Sequence, residues 1–241
     1  EFNLPLFLHL STTRIGQIHK RGRLPIVVGG SGQYIWGLLE GWQIPRIKPD
    51  ITLRRELETQ LERCGVISLH NYLQQIDPIS SVRVDSSNPR RVIRAIERSV
   101  YRNSNDNITE LKCPLKTPHL VIGLTQDRKE LYKRVDSRVD GMMNSGFREE
   151  VDMLINKGYS TSLSSMSSVG YQELAANIIE GRDLDDVVQR IKYRTHNIVR
   201  KQYSWFKLQD TRINWLDSDG SENYNANNMV EEFLAHYDKI K

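Results

Sequence analysis

Several things are missing from this chain of 241 residues. Its two cysteines, Cys64 and Cys113, form no CxxC pair, which excludes a disulfide scaffold and a zinc site of the usual spacing. No apolar run approaches the roughly 18–20 residues of a membrane span, and no signal-peptide pattern opens the sequence. The expectation is a soluble, cytoplasmic protein without a membrane partner. There is no GxxxxGKS/T loop, no HxxxH or HExxH pair and no GxSxG elbow. A complete Walker A site, a zincin centre and a serine-hydrolase elbow are thereby excluded from these residues, and no metal ligands stand out. The last absence is local: between Asp186 and Asp210 there is no carboxylate.

What fills that stretch is cationic. Positions 187–209 hold Arg190, Lys192, Arg194, His196, Arg200, Lys201 and Lys207, and close near Trp205-Phe206. Elsewhere acids and bases are mixed, and the net charge is only +4. A basic stripe interleaved with aromatics suits a polyanion, so RNA or DNA is the first partner to test. At about 100° per residue, Ile191, Ile198, Trp205 and Phe206 are expected on one buried face with basic edges to either side. A docked helix displaying charge is one reading, and a plain solvated face is the other.

The chain begins with a helical pattern over 7–20. Leu24-Pro25-Ile26-Val27-Val28 then reads as a buried parallel strand. Gly29-Gly30-Ser31-Gly32 follows, and a helix is expected from Gln33 to Glu40. Glycines between strand and helix let backbone N–H groups approach an anion; a tight turn alone explains them equally well. Helical spacing recurs over 51–64, 66–76 and 89–101, with Asn88-Pro89 as N-cap and first helical residue. In the last of these, Ile93, Ile96 and Val100 are expected inward, with Arg90, Arg94 and Arg98 in a row on another face. Residues 103–107 read as a polar loop and 119–124 as a returning core strand. Helices are expected over 128–145, 147–157, 170–179, 184–207 and 226–240, with a serine-rich loop at 160–168 and a strand over 213–216. In the helix after Thr125, Leu131, Val135, Val139 and Met142 form the expected buried face. Arg134 and Arg138 are four apart and can address one anion, or pair ordinarily with Glu130, Asp136 or Asp140.

Taken in order, these segments resemble the tRNA dimethylallyltransferases, also called tRNA isopentenyltransferases. Leu24–Tyr34 is similar to the family's LPIxVGGTGLY and Asn88–Glu97 to its DPRRxxRALE. Gly146-Phe147-Arg148-Glu149-Glu150-Val151, Val169-Gly170-Tyr171-Gln172-Glu173 and the basic stretch through Lys201-Gln202-Tyr203-Ser204-Trp205-Phe206 follow in place. Each piece is unspecific alone; the ordered set is specific.

The resemblance implies an α/β fold. Its core would be a P-loop NTPase-like, nucleotide-binding (ATP-binding) parallel sheet, incomplete at the N-terminus, with an inserted all-helical domain and a helical C-terminal part. The expected divisions are 1–46, 47–117 and 118–241. The implied activity is prenyl transfer from dimethylallyl diphosphate to N6 of the adenosine 3′ of the anticodon, with Mg²⁺ as cofactor and the protein a monomer. Arg138 matches the arginine that stabilises the diphosphate; Gly29, Gly30, Ser31 and Arg134 lie at that site. The tRNA contacts by resemblance are Arg83, Asn88, Arg90, Arg91, Ser165, Ser167, Tyr193, Arg194, His196, Arg200 and Lys201, which address the anticodon stem-loop.

Departures are small: Ser31 and Gln33 replace Thr and Leu, Ser167-Ser168 replace a longer residue, His196 replaces Arg, and Arg200-Lys201 invert Lys-Arg. The family's phosphate-binding loop and base Asp have no counterpart after Glu1, so the expectation is an enzyme whose chain as given is catalytically incomplete. The rival readings are a non-catalytic tRNA-binding remnant and an adenylate isopentenyltransferase-like enzyme acting on free nucleotide.

Overall fold

The structure, a computed structural model, describes residues 2–44, 50–101, 112–218 and 223–237. Several of its helices start where a short polar side chain meets free backbone N–H groups. Helix α1 (Leu4–Lys20) begins on Asn3, whose Oδ1 accepts the Leu6 N–H at 3.1 Å. After α2 (Gly32–Leu39), helix α3 (Ile51–Ile76) begins on Asp50, which accepts the N–H groups of Thr52 and Leu53. Helix α3 breaks at Gly65, with φ 75° and ψ 171°, so the two expected helices, 51–64 and 66–76, are both present. A short helix α4 (Pro78–Arg83), capped by Asp77, was not foreseen. Helix α5 (Pro89–Val100) starts on Asn88 as expected, its Oδ1 accepting the Arg91 N–H at 3.2 Å.

The chain divides into two compact units. The first takes residues 1–26 and 36–115. Its core is Leu57, Leu69 and Leu73 of α3 packed on Val92, Ile93, Ala95 and Ile96 of α5. Val100, expected inward, is 47% exposed. The buried stripe centres on Val92 and Ile96, and Val100 in the last turn runs past it. Among these apolar groups sits Glu97, 1% exposed. Both its oxygens are held at 3.0 Å by Nε and Nη2 of Arg54, and Arg94 Nη1 adds a third bond at 3.1 Å. A carboxylate can be buried here because a fork of charged donors replaces water. Arg94, expected in a basic row, thus faces a carboxylate.

The second unit takes residues 27–35 and 116–241. Strands β1 (Ile122–Thr125) and β2 (Asn214–Asp217) pair in parallel, Ile122 opposite Asn214 through Thr125 opposite Asp217. Between them in sequence run α6 (Arg128–Asn144), α7 (Phe147–Asn156), a 3₁₀ turn over Ser164–Ser167, α8 (Tyr171–Glu180) and α9 (Leu184–Trp205); α10 (Asn223–Tyr237) follows. Val139, Phe147, Val151, Met166, Leu174, Ala175, Val187 and Ile191 form the core of this bundle. Met142 is exposed, and its neighbour Met143 packs instead.

Two expectations need correction. The run 24–28 is no strand: among the described residues the only sheet is β1–β2, and Ile26 and Val28 are 79% and 91% exposed. An apolar run becomes a strand only when another backbone completes its hydrogen bonds, and none does so here. The buried face of α9 is also different. It is Val187, Ile191 and Val199, while Ile198 and Trp205 are 44% and 42% exposed. The expected loop at 103–107 and the last residues of the expected C-terminal helix lie outside the described residues.

Candidate functional site

The acid-free stretch folds as α9, and it finds its carboxylates on neighbouring helices. Lys192 Nζ pairs with Asp140 of α6 at 2.6 Å. Arg194 pairs with Glu173 of α8 and donates to Gln172 Oε1 at 2.9 Å. The His196 ring stacks on Tyr132 of α6, centroids 4.2 Å apart, with Nε2 2.8 Å from Asp136 Oδ1. That last contact is close but not aligned as a hydrogen bond. Asp136 and Asp140, candidate partners for Arg134 and Arg138 within α6, therefore serve α9.

Glu173 explains the VGYQE segment. Its Oε2 accepts the Gly170 N–H at 2.8 Å at the start of α8, while the other oxygen takes Arg194 of α9. Tyr171 completes the joint: its hydroxyl donates to Glu150 of α7 at 2.6 Å and its ring meets Phe147 edge-on. The bond to Glu150 raises the Tyr171 pKa, because the carboxylate disfavours a phenolate beside it.

What remains on α9 is the displayed charge. Arg200 has no carboxylate partner among the described residues; it bonds Asn197 Oδ1 and lies 5.6 Å from the centre of the Tyr193 ring. Tyr193 is 63% exposed. The side chains of Arg190 and Lys201 are exposed and have no hydrogen bond or ion pair among the described residues. An exposed aromatic beside unpaired cations can offer an RNA base a ring to stack on and its phosphates a charge.

The glycine turn meets the C-terminal end of this same helix. Gln202 Nε2 donates to the Gly30 carbonyl at 3.2 Å. A Cβ on Gly32 would overlap Trp205 Cβ and Cγ and sit 2.7 Å from Cδ2. The glycines are thus explained in part by close approach of α9, a reason that local sequence does not carry. On α6, Arg134 Nη1 donates to Gln126 Oε1 at 2.5 Å and to Ser218 Oγ at 3.4 Å, at the carboxyl ends of β1 and β2. Arg138, one turn on, is exposed without a partner among the described residues.

The other expected contacts are placed as follows. Ser165 and Ser167 lie in the 3₁₀ turn, exposed, with Ser167 Oγ donating to the Ser164 carbonyl at 2.7 Å. Arg83 ends α4, Asn88 caps α5, and Arg90 and Arg91 are exposed in its first turn; all four belong to the first unit. Asn88 and Arg90 line an open groove with Glu58, Leu61, Asp85 and Ile93. Ser218 and Gln202 were missed because each acts across 84 or more residues of sequence, and Gln126 because it lies eight residues before Arg134, outside the helix that carries it. Among the described residues no three His, Cys, Asp or Glu side chains gather to hold a metal, and no helix is long and apolar enough to cross a membrane.

Set beside known families, residues 1–209 match the family described as IPP transferase, and the chain belongs to it. A tRNA dimethylallyltransferase of Dehalococcoides mccartyi is 36% identical over 236 residues, 97% of this chain and 72% of that protein. One from Thermomicrobium roseum is 39% identical over 219 residues, 90% of this chain and 66% of that protein. Among solved structures, the tRNA isopentenylpyrophosphate transferase of Bacillus halodurans superimposes with a TM-score of 0.65 at 29% identity, over 100% of this chain and 76% of the other. A eukaryotic dimethylallyltransferase acting on tRNA gives 0.73 at 24% identity, over 100% of this chain and 62% of its own, which supports the fold. The fold is accordingly a mostly helical α/β arrangement with a small parallel sheet.

Proposed function

We infer that this chain belongs to a tRNA dimethylallyltransferase, which moves a dimethylallyl group from its diphosphate to N6 of the adenosine 3′ of the anticodon. The observation that carries the reading is α9: its unpaired cations and Tyr193 face solvent, and its far end packs against the glycine turn. Family membership and the names of the relatives point the same way.

In the reaction N6 forms a bond to C1 of the dimethylallyl group while the C1–O bond breaks. The electron pair leaves on the diphosphate, and N6 gives up one proton to a base. Arg138, unpaired and exposed, would meet the charge that develops on the diphosphate, with Arg134 beside it and the N–H groups of Gly29, Gly30 and Ser31 as further donors. Arg83, Asn88, Arg90, Arg91, Ser165, Ser167, Tyr193, Arg200 and Lys201 would contact the anticodon stem-loop. Arg194 and His196 reach RNA only through whatever exposure their carboxylate partners leave. Mg²⁺, expected from the resemblance, favours phosphate oxygens and one or two carboxylates. Among the described residues no three His, Cys, Asp or Glu side chains gather, and no step is assigned to it. The P-loop-type core belongs to the same reading, supported by the parallel β1–β2 pair. A monomeric, cytoplasmic enzyme is likewise part of it, in keeping with the unpaired Cys64 and Cys113.

The test is product analysis. The full gene product carrying this chain is incubated with unmodified tRNA, AMP and dimethylallyl diphosphate, followed by nucleoside mass analysis. Prenylated adenosine in tRNA is expected. Prenylated AMP with untouched tRNA would overturn the substrate assignment.

A further inference from the structure

We propose that Gln202 is a positioning residue for the glycine turn, and that through it α9 couples RNA binding to diphosphate binding. The inference rests on reading Gly29–Ser31 as part of the diphosphate site. Gln202 Nε2 holds the Gly30 carbonyl at 3.2 Å, and there are no cis peptide bonds among the described residues. In a trans peptide the C=O and the following N–H point in opposite directions. Fixing the Gly30 carbonyl toward α9 therefore aims the Ser31 N–H away from it. Among the described residues the N–H groups of Gly29, Gly30 and Ser31 donate to no other group of the chain. They are available to an anion, and Gln202 sets the direction of one of them.

Trp205, three residues further on α9, abuts the turn at Gly32. Its Cβ and Cγ occupy the space a side chain at position 32 would need, so the turn and the last helical turn of α9 move together. Arg200 and Lys201, the unpaired cations, immediately precede Gln202 in sequence. An RNA phosphate that orders this end of α9 also orders the Gln202 amide and the Ser31 N–H. Thermodynamic linkage makes the coupling reciprocal: diphosphate on the turn tightens RNA to the same degree.

The experiment uses the full gene product, with inorganic pyrophosphate and an anticodon stem-loop RNA as probes in calorimetric titrations. In the wild type, bound RNA should tighten pyrophosphate at least about fivefold. Gln202→Met keeps the shape and removes the donor. It should weaken pyrophosphate about tenfold, the effect of losing one charge-assisted bond, and abolish the RNA-dependent gain. Its RNA affinity without pyrophosphate should stay within about twofold, since Gln202 carries no charge to the phosphates. Gln202→His, whose ring N–H can donate, should recover part of the loss. Wild-type pyrophosphate affinity and coupling in Gln202→Met, with or without a lower melting temperature, would overturn the proposal. A wild type that binds RNA but no pyrophosphate would instead overturn the reading of the turn, and the proposal with it.

Discussion

Glu173 joins α8 and α9 through one carboxylate, so truncating it should loosen the second unit in a defined way. The side chain is 8% exposed, caps Gly170 at 2.8 Å and receives Arg194 from α9. Loss of an N-terminal cap costs about 1 kcal/mol. Breaking a buried ion pair costs about 3–5 kcal/mol when the surviving charge is stranded. Arg194 would not be stranded: it is 38% exposed and keeps Gln172 at 2.9 Å, so the ion-pair loss falls to about 1–2 kcal/mol. Glu173→Ala should therefore destabilise the α8–α9 joint by about 2–3 kcal/mol. Glu173→Gln, retaining a neutral acceptor, should lose about half of that. Hydrogen exchange read by mass spectrometry on peptides from α8 and α9 is the direct assay, because it reports local opening. A loss of this size accelerates exchange by about 30- to 150-fold in those peptides. Exchange within about threefold of wild type in Glu173→Ala would refute the joint.

Three further outcomes follow from the same geometry. In the first unit, Glu97→Ala should cost about 3 kcal/mol, the lower end of the range for breaking a buried ion pair, since Arg54 and Arg94 are about a third exposed; denaturant unfolding measures it, and a loss below about 1 kcal/mol would contradict the buried network. Gly32→Ala should cost about 1–3 kcal/mol or unseat Trp205, seen in tryptophan fluorescence, whereas Gly16→Ala, in open space within α1, should gain about 0.5–1 kcal/mol. Hydrogen bonding to Arg212 holds the Asp210 carboxyl down at about 2. Its folded pKa lies below the ordinary carboxylate value of about 3.9, so it stabilises the fold above that pH and the contribution fades as pH falls toward 2. In Arg212→Ala the Asp210 titration, followed by carboxyl NMR shifts, should move up toward the ordinary value, and an unmoved midpoint would sink the assignment.

Much of the helical framework was legible because its signals are local. Asn88-Pro89 announced α5, and the two helical stretches 51–64 and 66–76 left between them the position, Gly65, at which α3 breaks. The strands β1 and β2 were visible as short apolar runs, but the run 24–28 looked the same and pairs with nothing among the described residues. Strand pairing is non-local, and composition does not reveal it. The helical wheel misplaces the buried face of α9 because Ile198 and Val199 are equally apolar neighbours, and packing chose Val199. The acid-free stretch was real in sequence but not in space. Asp140 and Glu173 come from helices up to 52 residues earlier and neutralise part of it. Sorting paired from unpaired cations needed coordinates, and so did the approach of Gln202 to the glycine turn.

The central claim is that α9 divides its charge, with Lys192 tied to Asp140 and Arg200 and Lys201 left for RNA. The most direct measurement is the salt dependence of anticodon stem-loop binding by wild type and by Lys192→Ala, Arg200→Ala and Lys201→Ala. Removing a cation that neutralises one RNA phosphate should lower the slope of log K against log salt by about 0.7–0.9. Arg200→Ala and Lys201→Ala should each show that drop, and Lys192→Ala should keep the wild-type slope. A wild-type slope in both Arg200→Ala and Lys201→Ala, with the drop appearing in Lys192→Ala, would contradict the account.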